Sequence, residues 1–90
     1  MPPGVLLYYL MFISYHRLND ISRRQDCLHD LMLYVTTEST KFSPALQVIS
    51  LFYLRRAFEI ISDTDGVYNC KIMISTLVET TDLKKVLGQE

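Results

Sequence analysis

A chain of 90 residues is long enough for one small domain, which we place at residues 1–90. Nine basic residues against ten acidic ones leave a net charge of −1, which argues against a nucleic-acid-binding module, because such modules carry a basic excess. Hydrophobic residues make up 49% of the chain, so we expect a partner protein or self-association to cover part of the apolar surface. No linker, low-complexity segment or internal repeat is apparent.

The first predicted helix covers residues 4–18 and is apolar on nearly all sides. Its apolar run from Val5 to Tyr15 is interrupted only by Ser14, and it is shorter than the roughly 20 residues that a bilayer-spanning helix needs. The segment also lacks the basic region and the small-residue cleavage site that are typical of a signal peptide. We therefore predict a buried central helix and no membrane partner; membrane-peripheral binding through residues 5–15 is the alternative.

The second predicted helix covers residues 22–37. Its start is indicated by "SRRQ", in which Ser22 is followed three residues later by Gln25, the spacing of a capping box. The apolar residues that follow recur at i, i+3, i+4 and i+7, which predicts one buried stripe. They are Leu28, Leu31, Met32 and Val35.

The third predicted helix covers residues 43–62, with Ser43 as its cap and Pro44 at its first position. The turn residues of "SDTDG" are expected to close it. The segment "VYNCKIMISTLV" predicts a fourth helix at residues 67–80, and a short fifth one is predicted at 82–87. The fold class is therefore all-α, a compact bundle of about five short helices.

Two adjacent arginines lie inside the apolar third helix. If Tyr53 is the centre of its apolar stripe, a turn of 100° per residue directs Arg55 to solvent beside Glu59. The same geometry sets Arg56 next to the stripe. Arg56 then either extends past its neighbours to water or braces an adjacent helix.

Residues for catalysis or for binding metals and cofactors do not form a recognisable pattern. The chain has no glycine-rich phosphate loop, and His16 and His29 lack partners at ligand spacing. We therefore predict a non-enzyme with no cofactor and no metal. Cys27 and Cys70 are interpreted as buried free thiols of an intracellular protein, cytoplasmic or nuclear.

The segments "CLHDLMLYVTTE" and "ALQVISLFYLRRAF" together resemble the first two helices of a cyclin box. In that family the first of these helices carries Leu-x-Asp-Trp-Leu-x-x-Val and the second ends in Tyr-Ile/Leu-Asp-Arg-Phe. The matching residues of the second motif here are Tyr53, Leu54 and Arg56, whereas Arg55 replaces the aspartate. The resemblance covers residues 22–82. It implies structural bracing by Arg24 and Arg56.

The segment "NCKIMISTLVETTD" is similar to the third helix of the same family, although Thr81 stands where that family has a kinase-contacting lysine. The resemblance implies a cyclin-like adaptor that binds a partner helix, of a kinase or another helix-bearing protein, through helices three and four. The residues expected to bind this partner are Lys71, Ile74, Leu77, Val78 and Thr81. The alternative is a small all-α structural subunit of a larger assembly, with no kinase partner.

Overall fold

The computed structural model of the protein describes residues 3–38 and 41–80. Over these residues the chain forms helices and no strand, so the all-α prediction is confirmed. The helices are α1 (Pro3–Arg17), α2 (Ile21–Glu38), α3 (Pro44–Ile60) and α4 (Thr64–Thr80). The fifth helix, predicted at 82–87, lies outside the described residues. None of the helices in the described ranges has the length and hydropathy to cross a bilayer.

Side chains that accept backbone N–H groups define where α2 and α3 begin. The predicted cap at Ser43 is confirmed, because its Oγ accepts the N–H of Leu46 at 3.4 Å. The predicted capping role of Ser22 is wrong. The carboxylate of Asp20 accepts the N–H of Arg23 at 3.2 Å, so α2 begins one residue earlier and Ser22 lies in its first turn.

The segment "SDTDG" begins a helix as well as ending one. Asp63 accepts the N–H of Gly66 on its carboxylate at 3.0 Å, as a helix-capping aspartate does. As a result α4 begins at Thr64, three residues before the predicted start, and α3 ends at Ile60. The segment therefore closes the third helix, as predicted, and it also caps the start of α4, which the sequence pattern did not indicate.

The four helices form two hairpins that pack on each other. α1 pairs with α2, and α3 pairs with α4, because the three-residue connections at 18–20 and 61–63 leave room only for a reversal of direction. α3 also packs on both α1 and α2 and so joins the hairpins. The core between them contains Val5, Phe12, Cys27, Leu28, Leu31, Val35, Leu51, Leu54, Ala57 and Cys70.

The turns of the two hairpins have the same structure. Asn19 and Ser62 adopt left-handed φ angles of 56° and 60°. The aspartate that follows each of them donates its backbone N–H to a carbonyl five residues earlier, over 2.9 Å in both hairpins. Each aspartate then accepts the N–H three residues later, as described above. The two turns are therefore equivalent, residue for residue.

This equivalence extends to the helices, with counterparts 43 positions apart, as Asp20 and Asp63 are. α1 and α3 end at counterpart positions, and α2 and α4 begin at counterpart positions. Two-helix units that recur every 40–47 residues or so are typical of helical-hairpin repeats. The chain thus contains two structurally equivalent hairpins, and their equivalence is visible in the structure rather than in the sequence. Identical residues at counterpart positions are few, for example Val5 and Val48, or Cys27 and Cys70.

The ring of Phe58 packs so closely on Gly66 that there is no room for a side chain at this position. A Cβ added to Gly66 would lie 2.5 Å from two atoms of that ring. Gly66→Ala is expected to lower the free energy of unfolding by up to about 2 kcal/mol, because overpacking costs about 1–3 kcal/mol and the gain in helix propensity offsets about 1 kcal/mol of it. Urea denaturation measures the change. The same substitution in a Phe58→Leu background should cost less, and an equal cost in both backgrounds would contradict the account.

Candidate binding groove

An apolar groove lies between the end of α2, the start of α3 and the second half of α4. Its volume is about 410 Å³. None of the residues that line it is charged. They are Val35, Thr36, Gln47, Leu51, Ile72, Met73, Thr76 and Leu77. The groove exists because the two hairpins approach closely along α3, whereas α2 and α4 remain separated at this end.

The floor of the groove is fixed and its rim is adaptable. Val35 and Leu51 are buried core residues, and Leu77 is half-buried against the core. Ile72 and Met73 form the rim, with 47% and 37% of their surfaces exposed. A methionine at the rim can adjust its three side-chain torsions to the shape of a bound surface. The groove therefore combines a rigid apolar base with a deformable edge.

The polar residues of the groove have hydrogen-bond partners within the protein. Thr36 and Thr76 each donate a hydroxyl to the carbonyl four residues earlier in their own helix, both over 2.9 Å. The side-chain amide of Gln47 donates to the carbonyl of Phe42 over 3.0 Å. These bonds turn the polar atoms toward the backbone, so the groove offers a ligand mainly methyl and methylene groups.

The predicted partner-binding residues divide between two flanks of α4. Leu77 lines the groove. Ile74 and Val78 are half-buried, and they lie about 100–140° around the helix axis from Met73. Lys71 is exposed on that other flank, where it lines a second pocket of about 500 Å³ with Glu59. Thr81 lies outside the described residues.

The residues that sequence reasoning missed come from all three helices of the groove. The prediction assigned the partner surface to the third and fourth helices, and the groove also uses Val35 and Thr36 of α2. On α4 it uses Ile72 and Met73, which the prediction left out. Ile72 and Met73 are adjacent large apolar residues, and this pair could have been noticed in the sequence. Only the packing of α2, however, shows that their side of α4 borders a groove.

The two predicted bracing residues lie in different environments. Arg24 in α2 reaches the end of α1, with its Nη1 3.3 Å from Nδ1 of His16, and its Nε donates to Gln25 over 3.3 Å. Arg56 is exposed on α3. It lies about 160° around the helix axis from the buried Leu54, so it does not border the buried stripe as predicted, whereas its exposure agrees with the predicted alternative in which it extends to water.

Arg55 is the half-buried arginine of the pair. Its Nε lies 3.6 Å from the carboxylate of Glu59, the predicted neighbour, and its guanidinium lies 5.2 Å from the centroid of the Phe52 ring. The prediction reversed the two arginines because the buried side of α3 is centred on Leu51 and Leu54, not on Tyr53. Among the described residues the Arg55 Nε is buried without a hydrogen-bond partner.

The two cysteines are buried and free, so that prediction is confirmed. Burial raises the pKa of the Cys70 thiol to about 11, against the opposing effect of the nearby Arg55 charge. Burial also raises the pKa of Cys27, assisted by the negative charges of Asp30 and Asp26. Both thiols are thus protonated at neutral pH and act as apolar core groups.

Comparison of the chain with protein-family models, with curated proteins and with solved structures gave no match. The described residues define a class by their architecture alone: two stacked helical hairpins in a 43-residue register, with an uncharged groove at one end. They contain no group of three or more side chains able to hold a metal ion.

Proposed function

We propose that the chain is a non-catalytic interaction module that binds an apolar helix of a partner protein in the groove between α2, α3 and α4. The observation that carries this proposal is the groove itself, whose lining is uncharged and whose floor consists of the buried residues Val35 and Leu51. An amphipathic helix that inserts side chains at i, i+3 or i+4 and i+7 is the ligand that suits such a surface. The volume of about 410 Å³ lies in the range of ligand-binding pockets.

A cyclin-like adaptor is the specific form of this proposal, with a kinase as one candidate partner. The resemblance of residues 22–82 to a cyclin box supports it, as does the packing of α2 on α3. The uncharged groove suits a partner helix bound mainly through apolar area. The burial of two free thiols supports the further proposal that the module acts in the cytoplasm or nucleus.

Site-specific photo-crosslinking in the cell of origin tests the proposal. A benzophenone amino acid replaces Met73 at the groove rim, or Tyr68 on the same helix as the matched control. Tyr68 is 64% exposed and lies outside the groove. We expect the probe at position 73 to crosslink to one helical segment of one protein, and the probe at position 68 not to reach that segment.

A second test measures how strongly the crosslinked partner binds to variants substituted at the groove rim. Met73→Lys places a charge over the apolar floor, so the crosslinked partner should bind at least about tenfold more weakly, whereas Tyr68→Lys should bind it like the parent. A partner that crosslinks equally from both positions, or that tolerates Met73→Lys, would show that the groove is not its binding site.

A small structural subunit of a larger assembly is the second candidate function. It is favoured by the outer face of α1, where Leu7, Leu10 and Met11 are all exposed. Contiguous exposed apolar side chains often mark an interface with another protein. This candidate predicts self-association or poor solubility of the chain alone, and light scattering that shows a clean monomer at high concentration would count against it.

A further inference from the structure

The outer face of α1, from Leu7 to Ser14, is largely apolar and is exposed along about two turns. Leu7 and Leu10 expose 56% and 53% of their surfaces, and Met11 exposes 37%. Ser14 completes the face, and its hydroxyl is bonded to the carbonyl of Leu10 at 2.9 Å. No charged residue occurs in α1 before its last residue, Arg17. The face therefore presents methyl and methylene groups with no charge between them.

The counterpart of this face in the second hairpin is covered. The residues 43 positions later are Ser50, Tyr53, Leu54 and Ala57. Ser50, Leu54 and Ala57 are buried, and Tyr53 is half-buried. The first hairpin provides the contacts, since Tyr53 packs edge-on against Tyr9 with ring centroids 5.0 Å apart, and Leu54 borders a small cavity with Met32. The face of α3 that corresponds to the outer face of α1 is therefore covered by a neighbouring hairpin.

The opposite end of the molecule differs in chemistry. The first hairpin uses Tyr9, Ile13, Met32 and Thr36 near its contact with the second. Their counterparts in the second hairpin are Phe52, Arg56, Ser75 and Glu79, all exposed. Apart from Phe52 these are polar or charged, as on the outer face of a terminal repeat. By the same correspondence, stacking a second copy head to tail would place Met11 near Ser75 and Glu79, and burying the charge of Glu79 there without a partner is unfavourable.

We propose that the outer face of α1 binds an antiparallel helical hairpin of a partner protein, stacked as α1–α2 stacks on α3–α4. The contacting side of that hairpin is uncharged. It carries aromatic or large aliphatic residues at the positions that correspond to Tyr9 and Met32 of the first hairpin. This interface does not depend on the groove of the proposed function, which lies between α2, α3 and α4. The partner hairpin thus stacks on the α1 side of the chain, whereas the opposite side presents Arg56, Ser75 and Glu79 at the counterpart positions.

The first hairpin of the chain is a suitable probe for this face, because it already covers the counterpart face of α3. The test protein is the full chain preceded by an extra copy of residues 3–45, which keeps the 43-residue register across three hairpins. We expect backbone amides around Leu10 in the middle hairpin to exchange with deuterium at least tenfold more slowly than in the parent. The midpoint of urea denaturation is expected to rise as well.

The matched control carries Leu7→Glu and Leu10→Glu in the middle hairpin only. Both residues are exposed in the parent, so the parent with these substitutions should still fold, whereas the three-hairpin chain should lose the slow exchange. Unchanged exchange in the unsubstituted three-hairpin chain would overturn the proposal. So would a parent dimer that these substitutions dissociate, or parent chain that floats with liposomes, because a second copy or a membrane would then be the occupant.

Discussion

Replacing Phe12 with alanine is expected to lower the free energy of unfolding by about 3–5 kcal/mol, because it leaves a large cavity at a fully buried site. Phe12 lies in the core of the first hairpin, and its ring stacks on His16 with centroids 6.3 Å apart. A domain of this size has roughly 5–15 kcal/mol of stability in total. The variant should therefore unfold at least about 12 °C below the parent, or fail to fold at all.

Two further variants keep this prediction measurable. Phe12→Leu retains most of the volume and should cost less than about 1.5 kcal/mol, so it gives a folded reference. Leu7→Ala changes an exposed residue of the same helix and should cost at most about 1 kcal/mol. Thermal unfolding followed by circular dichroism compares the three. If Phe12→Ala and Leu7→Ala unfold at the same temperature, then α1 does not pack as described.

Leu54→Ala and Met11→Ala are expected to differ by several-fold in cost although the two residues are counterparts in the repeat. Leu54 is 1% exposed beneath the first hairpin, so its truncation should cost about 2–5 kcal/mol. Met11 occupies the same place on the uncovered face of α1, and its truncation should cost about 1 kcal/mol or less. Leucine and methionine have similar helix propensities, so burial accounts for the difference.

Urea denaturation at several protein concentrations measures both costs. The account predicts that neither the ratio of the two costs nor the cost of Met11→Ala changes with concentration. A cost for Met11→Ala that approached that of Leu54→Ala and grew with concentration would mean that a second copy covers the face of α1. That result would contradict both the stacking of a partner hairpin on α1 and the comparison of the two faces.

The positions of the helices could be predicted from the sequence more closely than their starts. Apolar spacing and the Ser43–Pro44 pair placed the third helix almost where α3 lies. The starts at Asp20 and Asp63 were missed because an aspartate before a helix is also a common turn residue. The carboxylate acts as a cap here because the left-handed residue before it directs the chain into the next helix.

The orientation of the arginine pair could not be predicted, because α3 is apolar on more than one side. Tyr53 and Leu54 are both large and apolar, and only the packing of α1 and α2 decides which is the centre of the buried face. Arg55 occupies the place in the second hairpin that Phe12 has in the first. That correspondence explains why Arg55 is half-buried, and it depends on a repeat with few identical residues.

The groove depends on contacts between helices that are far apart in the chain. Leu77 was among the predicted partner-binding residues because it belongs to the apolar stripe of the fourth helix, and it does line the groove. The contribution of Val35 and Thr36 was not predictable from α2 alone. The spacing of Val35 in α2 predicts a core residue. The same spacing does not show that one side of Val35 is open to the groove.

Solvent mapping by methyl NMR tests whether the groove is a site for apolar side chains, and it requires no known partner. The chain is labelled at its methyl groups and titrated with 2-propanol, whose methyl groups mimic such side chains. The account predicts saturable shifts at Val35, Leu51, Met73 and Leu77, and a loss of saturation in Met73→Lys. Small shifts spread evenly over the exposed methyl groups, with no saturation at the groove, would contradict it.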